Sequence, residues 1–99
     1  APALMEAVRA GRVVTARGPV SAMGRLDCKE ASLIALAGLA RDADVFLTVG
    51  EAAAHDAVGR LARLGIATTP SGGAGVAGLF SGAAELRLGP AARVLAIVY

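Results

Sequence analysis

Residues 44–64 read DVFLTVGEAAAHDAVGRLARL, and this stretch decides the expected fold. Its first six residues, 44–49, are almost continuously apolar and rich in β-favouring side chains, the pattern of a strand buried on both faces. Gly50 breaks the run, and residues 51–64 then switch to a helical period. Ala54, Ala57, Val58, Leu61, Ala62 and Leu64 form one face; Glu51, His55, Asp56, Arg60 and Arg63 form the other. Gly65 stands where a helix stops. A buried strand feeding an amphipathic helix is the repeating unit of a parallel α/β sheet.

Working outward, the same alternation recurs. Residues 3–10 (ALMEAVRA) predict a short helix closed by Gly11, and residues 12–16 (RVVTA) a short strand. Residues 17–26 hold Gly18, Pro19 and Gly24 and predict a loop. Asp27, with Glu30 three residues on, predicts the cap of a helix over 28–41 whose apolar residues surround it on nearly all sides. Residues 66–68 predict another short strand. Residues 70–73 (PSGG) predict a tight turn, residues 75–86 a helix of small residues, and residues 93–99 (RVLAIVY) a last strand. The expectation is one domain over 1–99: a three-layer αβα slab with a mostly parallel sheet of about four short strands alternating with helices, joined by right-handed crossovers. Ligands bind such slabs at the C-terminal ends of the strands.

Composition narrows the function classes. Of the 99 residues, 24 are Ala and 13 are Gly, which suits close approach of backbones more than a bulky core. The net charge is only +2 and the aromatic residues are Phe46, Phe80 and Tyr99, which argues against a nucleic-acid face. The apolar runs are too short to span a membrane, and no charged and apolar leader opens the chain. The one cysteine, Cys28, cannot form an internal disulfide and suits a reducing cytoplasm. Its expected place is that of a small buried hydrophobe. The chain opens without a methionine and closes on an apolar run, which reads as a piece of a longer protein.

Residues 68–79, TTPSGGAGVAGL, carry the most chemistry. A small-residue turn entering a helix can hold an anion on free N–H groups or lie close to a flat ring, with Ser71 adding a hydroxyl. The string from Gly73 to Gly78 also matches G-x-G-x-x-G. A dinucleotide site further requires an acidic residue about 20 positions on, and the last strand offers none. The competing reading is that these glycines serve close helix packing. Lys29 is the only lysine, and it reads as a solvated side chain beside a carboxylate. His55 reads as a surface residue, as do Asp42 and Asp44. No paired carboxylates, nucleophile triad or metal cluster can be assembled.

The segment 23–49, MGRLDCKEASLIALAGLARDADVFLTV, with the turn at 71–75, resembles the later part of pyridoxal-phosphate enzymes of the tryptophan-synthase-β-like class. It is most similar to diaminopropionate ammonia-lyases and more distantly to threonine dehydratases. The matching positions are Gly24, Leu26, Cys28, Ser32, Asp44, Phe46 and Val49, then Ser71 to Gly75, and the likeness extends over about residues 4–99. The resemblance implies that Ser71, Gly72 and Gly73 lie beside the cofactor ring, away from its phosphate. Pro70 stands where the ammonia-lyases often have Glu. The family's imine-forming lysine and its phosphate-binding glycine loop have no counterpart here. The resemblance therefore implies the C-terminal part of a large domain, supplying scaffold and one wall of a pyridoxal 5'-phosphate site for a small amino-acid substrate and inactive alone. Exposed apolar surface would make it self-associate. The alternative is a small αβα module that binds a nucleotide at Gly73–Gly78 or acts by oligomerising.

Overall fold

The computed structural model describes all 99 residues. It contains four α-helices: α1 (Ala3–Ala10), α2 (Leu33–Asp42), α3 (Glu51–Arg63) and α4 (Pro70–Ser81), with a 3₁₀ turn at Gly24–Leu26. It contains no β-strand, so the expected αβα slab with its parallel sheet is overturned. The physical reason lies in what an apolar run encodes. Such a run determines which side chains shed water. A strand exists only when a second run comes into register and exchanges N–H···O=C bonds with it. Residues 44–49 and 93–99 take part in no backbone–backbone hydrogen bond. The segment 12–16 makes one backbone–backbone bond beyond its neighbouring helix, from the Ala16 N–H to the Lys29 carbonyl at 2.7 Å. Nor are these segments buried on both faces: Val45, Leu47, Val94 and Ile97 are exposed, and Leu95 is 91% exposed.

The chain divides into two compact units, Ala1–Leu47 and Thr48–Tyr99. In the first, α1 packs against α2, and the buried residues are Ala3, Ala7 and Ala16. Helix α1 ends as the sequence predicts. Gly11 takes a left-handed conformation (φ 69°), and its N–H and that of Arg12 return to the carbonyls of Val8 and Ala7. Helix α2 begins later than predicted. Its cap is Ser32, whose Oγ accepts from the Ala35 N–H at 3.1 Å, and not Asp27. None of its residues is buried, and Leu33 and Ile34 are exposed, against the expectation of a helix covered on several sides.

Asp27 instead gathers the loop that precedes α2. Its carboxylate accepts from Lys29 Nζ at 2.7 Å, from the Ala1 amino group at 2.8 Å and from the Ser21 N–H at 3.1 Å. Lys29 also donates to the Pro19 carbonyl at 3.2 Å. These donors, Lys29 foremost, hold the Asp27 carboxyl well below the usual carboxylate range.

In the second unit α3 packs on α4. Ala54, Ala57 and Leu61, spaced for one helical face, are the buried residues of α3. Ala57 and Leu61 meet Val76 and Ala77 of α4, with Val49 and Val98 packed against the cluster. Ala62 and Leu64, expected on the apolar face, are exposed. Gly65 (φ 79°) closes the helix as predicted, with its N–H on the Ala62 carbonyl and that of Ile66 on Leu61. On the outer side the Arg60 guanidinium lies 4.8 Å from the centre of the Phe80 ring and bonds Asp56 at 2.8 Å.

Candidate functional site: the N-terminal half of helix α4

Thr69 and Pro70 decide how the segment 68–79 folds. Thr69 is extended and its Oγ1 accepts from the Gly72 N–H at 3.2 Å, while Pro70 opens the helix. A threonine cap followed by proline is a strong helix start, because proline's fixed φ suits the first turn and its missing N–H is no loss there. The expected tight turn at 70–73 is therefore the first turn of α4, which begins five residues earlier than predicted and ends at Ser81. The cap pair was legible in the sequence; the Gly–Gly that follows it points more strongly to a turn.

This start alters the chemistry expected of the segment. Pro70 has no N–H, the Gly72 N–H is held by Thr69 Oγ1, and the Gly73 N–H bonds the Thr69 carbonyl at 2.8 Å. The helix does not present the row of free donors expected for an anion. Ser71, Gly72 and Gly73 are all buried, Ser71 with 4% of its surface exposed.

The glycines have near neighbours within the chain. Thr68 Oγ1 donates to the Tyr99 main-chain oxygen at 2.7 Å, and a Cβ on Gly72 would collide with both of these oxygens. A Cβ on Gly73 would lie 3.5 Å from Thr68 Cγ2 and 3.7 Å from Leu61 Cδ1. One on Gly75 would lie 3.5 Å from the Ile97 oxygen, and one on Gly78 3.7 Å from Val49 Cγ2. The terminal segment thus runs antiparallel to α4, with Tyr99 at Gly72 and Ile97 at Gly75. Gly73, Gly75 and Gly78 sit inside a helix, where a dinucleotide fingerprint needs its first glycines in the turn between strand and helix. The nucleotide reading of this string is not favoured. Thr68, Thr69 and Tyr99, which sequence reasoning passed over, hold the segment in place.

The other singled-out residues lie elsewhere. His55 is exposed on α3, and Asp42 and Asp44 are exposed, as expected. Cys28 is exposed, against the expectation of a buried thiol, because the helix that was to bury it begins only at Leu33. Lys29 does sit beside a carboxylate, that of Asp27, in the first unit. No group of three His, Cys, Asp or Glu side chains is placed to hold a metal ion. No helix is long and apolar enough to cross a membrane.

A family model described as pyridoxal-phosphate dependent enzyme matches residues 1–99. No curated protein and no solved structure matches the chain. The space beside the Gly72 Cα is taken by the Tyr99 oxygen, and Ser71 is covered. Ser71, Gly72 and Gly73 stand together in the first turn of α4. With the match running from the first residue to the last, the chain belongs to the pyridoxal-phosphate dependent enzymes.

Proposed function

We propose that the chain works within a pyridoxal-phosphate dependent ammonia-lyase or dehydratase acting on a small amino acid, 2,3-diaminopropionate-like or serine/threonine-like. The observation that carries this reading is the family match over residues 1–99. The ordered likeness to ammonia-lyases in residues 23–49 and 71–75 supports the substrate class. When bound, the cofactor supplies an electron sink for charge developing at the substrate Cα. This chain's share is scaffold and one wall: Thr68, Thr69 and Tyr99 hold the start of α4, and Ser71, Gly72 and Gly73 in its first turn are the cofactor-proximal residues of that wall.

An imine-forming lysine must present an uncharged amine to the cofactor aldehyde. Lys29 is the only lysine of the chain, and its ammonium is bonded to Asp27 and to the Pro19 carbonyl. In this reading the imine lysine comes from outside the 99 residues, and the chain by itself is inactive. A cytoplasmic setting belongs to the same reading, supported by the exposed free thiol of Cys28. So does self-association, supported by the exposed Leu33, Ile34, Leu95 and Ile97.

The test is ammonia release from 2,3-diaminopropionate, serine and threonine, with pyridoxal phosphate present. It is run on the protein as its cell makes it and on the 99-residue chain. The expected result is turnover by the first and none by the second, with no borohydride-stable adduct on Lys29. Turnover by the isolated chain, or an adduct on Lys29, overturns the scaffold assignment. Absence of turnover in the natural protein with all three amino acids overturns the substrate class.

A further inference from the structure

We draw no further inference here: the strongest candidate, the exposed apolar patch formed by Leu95, Ile97 and Tyr99 on the extended segment 93–99, carries nothing because nothing in the structure shows what covers it.

Discussion

At the scale of single residues, the glycines of this chain divide by what stands next to them. Gly72 has a main-chain oxygen against its Cα, so a methyl group there must displace the backbone of the terminal segment. Overpacking of that kind costs about 1–3 kcal/mol. Gly38, inside α2, has open space where a Cβ would go. There alanine relieves the entropy cost of glycine in a helix, a gain of about 0.5–1 kcal/mol. Urea unfolding of Gly72→Ala and Gly38→Ala should move the midpoint in opposite directions. A Gly72→Ala protein as stable as the parent would show that the Tyr99 contact does not hold the segment.

Asp27 makes a second residue-scale prediction. Its folded carboxyl binds a proton less readily than the unfolded one, because Lys29, the Ala1 amino group and the Ser21 N–H all favour the charged form. The stability it contributes is therefore fully present above the ordinary carboxylate range and is lost as pH falls below about 4 toward the depressed folded value. Asp27→Asn should destabilise the protein at pH 7 and do so less at pH 2.5. Equal differences at the two pH values would contradict the assignment. Asp42 is also held low by its bond to Arg41, but both side chains are open to water. Such surface pairs contribute little, and Asp42→Asn should be nearly silent.

At the scale of elements, α3 and α4 meet through small side chains, and no large side chain is wholly buried. Leu61 is the largest member of that cluster. Leu61→Ala should cost about 2 kcal/mol, the low end for a leucine, because a thin core leaves less of a cavity to sustain. Arg60→Ala removes the contact with Phe80 and the bond to Asp56, both at the surface, and should cost about 0.5–1 kcal/mol. The ranking is the test: an Arg60→Ala effect larger than that of Leu61→Ala would place the main hold between the helices on their outer side. The contrast between α3 and α2 belongs to the same scale. The polar residues of α3 share one side and its apolar residues the other, so the buried Ala54, Ala57 and Leu61 were legible, though Ala62 and Leu64 are exposed. Helix α2 is apolar all round, and that pattern gave no direction; in the structure it buries no residue.

At the scale of the whole molecule, the exposed apolar side chains lie on elements of both units: Leu33 and Ile34 on α2, Leu95 and Ile97 on the terminal segment. Sedimentation of the 99-residue chain should show self-association that rises with concentration. Leu95→Lys with Ile97→Lys should shift it toward monomer while helix content by circular dichroism stays unchanged, because neither residue is buried. A parent chain that stays monomeric at high concentration would sink the self-association reading.

What could be read in advance follows the range of the interactions. Helix α1 was expected over the residues it occupies, and α3 to within one, because helical bonds join residues four apart and the caps Gly11 and Gly65 lie in the same few positions. The family was legible because its motifs are an ordered set along the chain, and the match covers all of it. The absence of a sheet was not, since pairing depends on a partner distant in sequence coming into register, which apolar runs do not encode. The surroundings of Ser71, Gly72 and Gly73 have the same character. Their sequence allows a ring, an anion or a close-packed backbone. The contact beside Gly72 joins Thr68 to Tyr99, 31 residues apart, and only the folded chain brings that oxygen there.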